Sequence, residues 1–359
     1  MKPTKYNSIL DTIGNTPLIR LRSVSEDVGA EVYAKVEAFN PGLSTKDRAA
    51  LFMIERAEDE GLIRSGGTVV EASSGNTGMS LAIICAVKGY KCVIAIPSKS
   101  SKEKVDQLQS LGARVIVCPA KVSKDDPRSY YKVAERIAKS TPNSVHLNQY
   151  VNPSNPFAHY VTTGPEIYAQ TEKKITHFVA TAGTGGTLSG TARYLKEQDP
   201  GIRTIGVDAE GSILKKYHET GSWSRSDVRS YLLEGVGKSY IPDSMHMKYV
   251  DRFVSASDTD SARQAKLLAK REAIFAGYSS GAAIQGVYAM SDELSSASTV
   301  VVLLPDHGSK YMSKIYNQDW LRENRLAGKK YRPYYYYLLP SPIDRVKLRR
   351  LKKWIYSKS

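Results

Sequence analysis

The chain has 359 residues, 41% of them hydrophobic and 24% charged, which is typical of a globular protein long enough for two domains. No segment has the roughly 20 apolar residues that a membrane-spanning helix needs, and the N-terminus has no apolar segment of a secretory signal. The formal net charge is +15, but residues 329–359 carry +9 of it, which leaves +6 for the first 328 residues. The strong positive charge therefore belongs to a C-terminal tail and not to the body.

The cysteines also restrict the class of protein. Cys85, Cys92 and Cys118 are odd in number and form no Cys-x-x-Cys pair. This pattern argues against a disulfide framework and against a structural zinc site. We therefore expect a cytoplasmic protein without a bound metal.

Short β-branched segments alternate with helical patterns along the body. We predict buried strands at 68–71, 92–96, 114–118, 177–181, 204–207 and 299–304, and helices that include 78–87 and 102–111. This alternation indicates parallel sheets with helices on both faces. Ligands of such sheets bind at the carboxyl ends of the strands. The irregular segment 211–242 is predicted to be a long connection over one face.

The first segment with chemical potential is Asn40-Pro-Gly-Leu-Ser-Thr-Lys-Asp-Arg48. The Pro-Gly turn and the Ser-Thr pair predict a capped helix start that places Lys46 in the first helical turn. The positive end of a helix dipole disfavours a protonated amine there, which suits an amine that must attack a carbonyl. A solvated lysine at a charged helix start is the alternative interpretation of this segment alone.

Ser73-Ser-Gly-Asn-Thr-Gly78 follows a predicted strand directly. A loop rich in glycine and hydroxyl groups at a helix N-terminus presents N–H and O–H donors, which can hold a carboxylate. A simple capped turn is compatible with the same pattern.

Gly183, Thr184, Gly185, Gly186 and Thr187 follow another predicted strand. The glycines permit close backbone approach and the threonines add donors, so this loop is predicted to bind a phosphate. The loop lacks the Gly-Lys-Ser/Thr ending of a nucleotide-binding P-loop, and its spacing differs from Gly-x-Gly-x-x-Gly. A bare glycine-rich turn is the alternative.

A fourth segment, Gly277-Tyr-Ser-Ser-Gly-Ala-Ala283, begins another helical pattern. The hydroxyl of Ser279 could make one hydrogen bond to a heterocycle.

In this order and spacing, the four segments resemble the fold-type II family of pyridoxal-phosphate enzymes. A fifth motif, Ile13-Gly-Asn-Thr-Pro-Leu18, agrees, and the resemblance extends to about residue 320. It implies two three-layer αβα domains with parallel sheets, of the tryptophan synthase β kind. It further implies a smaller mobile domain at 47–152, a larger domain at 1–46 plus 153–328, and a tail at 329–359.

The resemblance also implies roles for individual residues. Lys46 matches the lysine that binds pyridoxal 5′-phosphate covalently, and Asn76 matches the residue bonded to the 3′-oxygen of that cofactor. Residues 183–187 match the phosphate loop and Ser279 the partner of the pyridine nitrogen. A hydroxyl there leaves the ring near neutral, which favours expulsion of a β-substituent over transamination. The positions that hold the substrate carboxylate match Ser73, Ser74, Asn76, Thr77 and Gln149.

Within the family, the sequence is similar to cystathionine β-synthases and cysteine synthases. The similarity to the former lies in Gln149–Pro156, 206–212, 233–237 and 304–312. It implies β-replacement on serine, O-acetylserine or cysteine, with thioether formation as the first expectation. Cysteine synthesis and release of hydrogen sulfide from cysteine are the enzymatic alternatives. Glu234 is a candidate to assist the departing or entering group, or else a loop carboxylate in a surface salt bridge.

Partners and the tail leave further alternatives. The family resemblance implies a homodimer that acts on a small amino acid and a thiol or amine. A weakly active cofactor-binding scaffold is the non-enzymatic alternative. The tail lacks any nucleic-acid fold signature, so we interpret it as an extension that packs on the body or its dimer mate. A membrane-binding helix with Leu348, Leu351 and Ile355 on one face is the alternative.

Overall fold

The structure is a computed structural model that describes residues 5–73, 75–98 and 100–327. Its strands are β1 (Leu18–Arg20), β2 (Glu31–Val36), β3 (Thr68–Ala72), β4 (Lys91–Pro97), β5 (Arg114–Cys118), β6 (Ser144–His146), β7 (His177–Thr181), β8 (Arg203–Ala209), β9 (Arg252–Ala256) and β10 (Thr299–Leu304). Its α-helices are α1 (Arg22–Val28), α2 (Lys46–Asp59), α3 (Asn76–Lys88), α4 (Lys102–Ser110), α5 (Tyr130–Ser140), α6 (Ser154–Ala158), α7 (Gly164–Gln170), α8 (Gly186–Gln198), α9 (Leu214–Thr220), α10 (Asp258–Arg271), α11 (Tyr278–Tyr288) and α12 (Gln318–Glu323).

The strands form two separate sheets. The first has six strands in the order β1-β2-β10-β7-β8-β9, and the second has four in the order β5-β4-β3-β6. Every pairing is parallel except that of β1 with β2 at the edge of the larger sheet. Parallel strands require crossover connections, and the helices between them supply these.

Both faces of each sheet are covered, because successive strand residues point in opposite directions. In the smaller sheet, Val69 and Ile94 pack against α2 and α3, whereas Val70 and Ala95 pack against α5. In the larger sheet, one face packs against α7 and α8. The other lies so close to α11 that a Cβ on Gly286 would be 2.4 Å from Val207. The predicted three-layer α/β architecture is therefore confirmed.

All six predicted strands are present, with ends that differ by up to two residues. The segment 211–242 is irregular as predicted except for α9 and one short 3-10 turn. The chain divides into a unit Met1–Asn317, which contains both sheets, and a second unit that begins at Gln318. The domain limits at residues 47 and 152 stay a prediction, and the tail at 329–359 lies outside the described residues.

Parallel pairing places the carboxyl ends of the strands at one edge of each sheet. The loops after β3, β7 and β10 begin there and carry Ser73, Gly183 and Asp306. In the part of the chain that the structure describes, no helix is both long and apolar enough to cross a membrane.

Candidate active site

Lys46 is the first residue of α2, as the sequence predicts. The segment before it is attached to the end of β10. The N–H of Thr45 donates to Pro305 O at 2.8 Å, the N–H of His307 donates to Leu43 O at 3.2 Å, and Ser44 forms an antiparallel bridge with Asp306. The position of Lys46 is therefore fixed by the larger sheet.

The local cause differs from our expectation. The Thr45 hydroxyl makes no capping bond, and the Ser44 hydroxyl accepts the N–H of Lys46 only at 3.4 Å. Burial lowers the pKa of the Lys46 amine to about 8, the nearby Asp306 opposes this shift and the positive charge of Lys238 adds to it. Desolvation rather than the helix dipole is thus the main reason that this amine loses its proton easily.

Asp306, which sequence reasoning did not single out, lies at the centre of the site. Its carboxylate is fully buried and accepts hydrogen bonds from Asn76 Nδ2 and from the Tyr311 hydroxyl, both at 2.7 Å. The Ser279 hydroxyl lies 3.5 Å from its other oxygen. Asn76 accepts in turn from Lys310 Nζ at 2.8 Å. The structure thereby brings the predicted residues Asn76 and Ser279 together with Lys46.

The signal that could have identified Asp306 was its position. It comes two residues after the central strand β10, at the edge where ligands of parallel sheets bind. The carboxylate of Asp306 also lies so close to the backbone of Gly277 that only a glycine fits there. A Cβ on Gly277 would be 1.9 Å from Asp306 Oδ1.

The loop after β3 is arranged as a receptor for a small anion. Ser73 Oγ accepts the N–H groups of Gly75 and Gly78 at 3.1 and 3.0 Å, so its own proton is left to donate. Thr77 donates to Gln149 Oε1 at 2.7 Å, and Gln149 Nε2 donates to Ala72 O at 3.2 Å. The structure thus brings three predicted carboxylate-binding residues together. Ser74 lies outside the described residues.

The loop after β7 requires its glycines. A Cβ on Gly183 would be 2.2 Å from Gly235 O, one on Gly186 would be 2.0 Å from Asn155 Oδ1, and Gly185 has φ +94°. The helix α8 begins at Gly186, and the first N–H groups of a helix have no intrahelical partner. These N–H groups face the loop and, with the two threonines, suit a phosphate.

The threonines of this loop are held by buried neighbours. Thr184 Oγ1 accepts from Asn155 Nδ2 at 3.1 Å, and Thr187 Oγ1 lies 3.1 Å from His159 Nε2. Burial lowers the pKa of His159 to about 3, so its ring is neutral at physiological pH. The phosphate loop therefore receives no charge from His159 and relies on N–H and O–H donors.

Glu234 lies within a buried ion triad. Its carboxylate accepts from Lys104 Nζ and from Lys314 Nζ, and its side chain is 11% exposed. Burial opposes ionisation, but the two ammonium groups outweigh it and lower the pKa of Glu234. Glu234 is therefore a loop carboxylate in ion pairs, as the structural alternative expects, but these ion pairs are largely shielded from solvent; its role in the reaction stays a prediction. Sequence reasoning missed both lysines because they lie 130 and 80 residues away.

The donor set fits pyridoxal phosphate. An amine of lowered pKa, a lysine-free loop of N–H and O–H donors and a neutral hydroxyl at Ser279 match the aldehyde, the phosphate and the ring nitrogen of that cofactor. Among the described residues, no group of three or more His, Cys, Asp or Glu side chains is arranged to hold a metal ion.

A family model described as "Pyridoxal-phosphate dependent enzyme" matches residues 9–306, and the chain belongs to this family. It is 42% identical over 315 residues to the cystathionine beta-synthase of Apis mellifera, which covers 87% of this chain and 62% of the relative. It is 41% identical over 319 residues to cysteine synthase 1 of Neurospora crassa, with 88% and 85% covered. The chain spans about six tenths of the length of the cystathionine beta-synthases it matches.

A solved structure agrees with these relatives. The O-acetylserine dependent cystathionine beta-synthase of Helicobacter pylori superposes with a TM-score of 0.80 at 35% identity, covering 88% of this chain and all of that one. Membership of the family and this fold establish pyridoxal phosphate as the cofactor, as the sequence predicts.

The first testable prediction concerns the phosphate loop. We expect Gly183→Ala to lower the affinity of the apoprotein for pyridoxal phosphate about tenfold or more, because the added Cβ would meet the backbone oxygen of Gly235. An absorbance titration with the cofactor measures this. Gly201→Ala is the matched control, since its Cβ would meet only the Asp199 side chain at 3.1 Å. An unchanged affinity in a folded Gly183→Ala protein would contradict the assignment.

Proposed function

We propose that this protein catalyses β-replacement on serine, O-acetylserine or cysteine. In this reaction a thiol replaces the substituent on the β-carbon, and the product is a thioether. The observation that carries the proposal is the convergence of Asn76 and Ser279 on the carboxylate of Asp306. The backbone of Asp306 pairs with Ser44, two residues before Lys46. The similarity to proteins named cystathionine beta-synthase and cysteine synthase supports it.

The residues of the chain would divide the work as follows. The phosphate loop would hold the cofactor phosphate, Asn76 would bond the 3′-oxygen and Ser279 would be the partner of the ring nitrogen. Ser73, Ser74, Asn76, Thr77 and Gln149 would hold the substrate carboxylate. The bound cofactor supplies an electron sink for the substrate α-carbon.

Lys46 would move the proton. Its lowered pKa gives a larger free-amine fraction near neutral pH than an ordinary lysine has, so Nζ can accept the proton from the α-carbon. Because Ser279 leaves the ring near neutral, charge at the α-carbon is relieved by loss of the β-substituent. A thiol would then add at the β-carbon with loss of its own proton, and Lys46 Nζ would return a proton to the α-carbon.

The second prediction concerns Lys46. Borohydride reduction followed by peptide mapping should place the pyridoxyl group on Lys46, and Lys46→Ala should lose both this link and turnover. Since the free amine is the reactive form, the rate of covalent capture by the apoprotein should increase with pH and level off above about 8. Lys310→Met is not a neutral control because Lys310 bonds Asn76, so Lys5→Ala serves instead. A label on another lysine would contradict the assignment.

The acid role of Glu234 stays a prediction, and the structure adds a condition to it. Glu234 is ionised between Lys104 and Lys314, so it must first take up a proton before it can donate one. The demand for an acid depends on the substrate. Hydroxide is a poor leaving group and needs a proton, whereas acetate leaves unaided.

The third prediction follows from this difference. Glu234→Gln should reduce thioether formation from serine about a hundredfold more than from O-acetylserine, within the usual range for general-acid catalysis. Product mass spectrometry with homocysteine as the thiol measures both rates. Glu103→Gln is the control. Glu103 and Ser313 are the residues directly before Lys104 and Lys314, and the N–H and hydroxyl of Ser313 donate to the Glu103 carboxylate. The variant therefore changes a carboxylate beside the triad that is not part of it. Equal losses with both substrates would leave Glu234 a purely structural role.

The same assay separates the alternatives. Activity with O-acetylserine and sulfide, without any response to serine, would identify a cysteine synthase. Release of hydrogen sulfide from cysteine alone would identify a cysteine lyase. Cofactor binding without turnover of any of these amino acids would identify a scaffold.

We further propose that the protein is a homodimer. Phe157 on α6 and Val161 one turn later are 50% and 37% exposed, and the Phe157 ring lies 6.1 Å from that of Phe52. Exposed apolar surface of this kind is typical of an interface.

Three free, buried cysteines also fit the cytoplasm, which we propose as the location.

The fourth prediction tests the dimer. Phe157→Asp should reduce the mass measured by light scattering from two chains to one, because a carboxylate would be buried at the interface. Leu62→Asp is the control, since Leu62 is 56% exposed beyond the end of α2. A dimer that persists in the Phe157 variant would exclude this face.

A further inference from the structure

Lys310 is a fully buried lysine on the short 3-10 turn Gly308–Tyr311, which follows β10. Its Nζ donates to Gly42 O at 2.9 Å and to Asn76 Oδ1 at 2.8 Å. Gly42 lies in the segment before Lys46, and Asn76 begins α3. An apolar side chain of similar volume would avoid the cost of burying an ammonium group. The position of Lys310 therefore indicates a role that an apolar residue could not fill.

The side-chain amide of Asn76 is fixed from both sides. Its Oδ1 accepts from Lys310 Nζ, and its Nδ2 donates to Asp306 Oδ2 at 2.7 Å. If the amide were reversed, its oxygen would face the carboxylate of Asp306 and its NH2 group would face the ammonium group of Lys310. Lys310 and Asp306 thus select one orientation. An amide NH2 group has two hydrogens, so Asn76 has a second one to donate to another acceptor.

This orientation matters for the proposed contact between Asn76 and the 3′-oxygen of the cofactor. That oxygen exists with or without a proton, and a hydrogen bond donated to it favours the deprotonated, negatively charged form. Burial lowers the pKa of Lys310 to about 8, so the group remains mostly charged at neutral pH. A cation bonded to Oδ1 polarises the amide and strengthens Nδ2 as a donor.

We propose that Lys310 is a positioning residue that acts through Asn76 and keeps the 3′-oxygen of the cofactor deprotonated. This inference rests on the role proposed for Asn76 and goes beyond it, since it names the residue that orients the amide. Without Lys310, the oxygen of the Asn76 amide loses its partner, the reversed orientation is no longer excluded from that side, and the 3′-oxygen holds its proton more often.

The absorbance spectrum of the holoenzyme tests the proposal without any substrate. The bound cofactor absorbs visible light when its 3′-oxygen is deprotonated and near-ultraviolet light when that oxygen keeps its proton. At constant pH, Lys310→Met should lower the ratio of the visible to the near-ultraviolet band about threefold to tenfold, as expected for the loss of one hydrogen bond. Lys310→Gln, whose amide ends one bond short of the Nζ position, should shift the ratio in the same direction. An unchanged ratio in either folded variant would overturn the proposal.

Ser309→Ala is the matched control. Ser309 precedes Lys310 in the same turn, and its hydroxyl lies 2.8 Å from His307 Nδ1. This variant removes a hydrogen bond of the turn but leaves the Lys310 side chain intact, so the band ratio should stay unchanged. A change as large as that in Lys310→Met would count against a specific role of Lys310, because any disturbance of the turn would then suffice.

A double variant separates action through Asn76 from a direct effect of the charge on the cofactor. In an Asn76→Ala background, Lys310→Met should change the band ratio less than about twofold, because no amide remains to be oriented. The full change in that background would refute the positioning role.

A matched pair of ligands separates this inference from the proposed function. The apoprotein is titrated with pyridoxal 5′-phosphate and with its 3-deoxy analogue, which lacks the oxygen in question. Lys310→Met should weaken the binding of pyridoxal phosphate about threefold to tenfold and that of the analogue less than about twofold. Equal weakening of both would overturn the role of Lys310, whatever the activity. The expected spectra and affinities without thioether formation from any amino acid tested would overturn the proposed reaction instead.

Discussion

The buried carboxylate of Asp306 connects the two sheets at the edge where their carboxyl ends meet. It follows β10 of the larger sheet, and it accepts a hydrogen bond from Asn76 at the start of a helix that packs on the smaller sheet. Its backbone pairs with Ser44, two residues before Lys46. A buried carboxylate is costly unless its oxygens are bonded. The arrangement that satisfies Asp306 therefore also positions Lys46 and the loop after β3, for which we propose the catalytic and substrate-binding roles.

A second buried network secures the other side of Lys46. Arg48 donates to Glu37 and Glu166, and Lys35 donates to Glu166 at 2.6 Å. Removing one partner of such a buried network typically costs about 3–5 kcal/mol, because the remaining charge is left unpaired. The first turn of α2 is thus held by Asp306 at one end and by Arg48 at the other. This rigidity fixes the backbone of Lys46 and therefore the point from which its side chain extends.

Strands with continuous β-branched sequences could be predicted, and those with mixed sequences could not. The strand β2 contains Lys35, which is fully buried and donates hydrogen bonds from Nζ to Thr16 O, Glu166 and Gln170. No local pattern predicts a buried lysine in a strand. The strand β6 has three residues and becomes a strand only through its pairing with β3. Likewise, β1 and β9 depend on neighbours in the larger sheet for their hydrogen bonds.

The sequence by itself determined the α/β class and the loops that carry Lys46, Ser73 and Gly183, because glycines, hydroxyl residues and strand-to-helix turns are local patterns. The cofactor followed from the resemblance of these loops, in their order and spacing, to the fold-type II family. Only the tertiary structure decided which distant charges meet. Asn76 and Asp306 are 230 residues apart in the chain, and Lys104 and Glu234 are 130 apart. Their contacts arise from the way the loops of two sheets pack against each other. Local periodicity carries no information about that packing, and for this reason Asp306, Lys310 and the lysines around Glu234 became visible only in the folded chain.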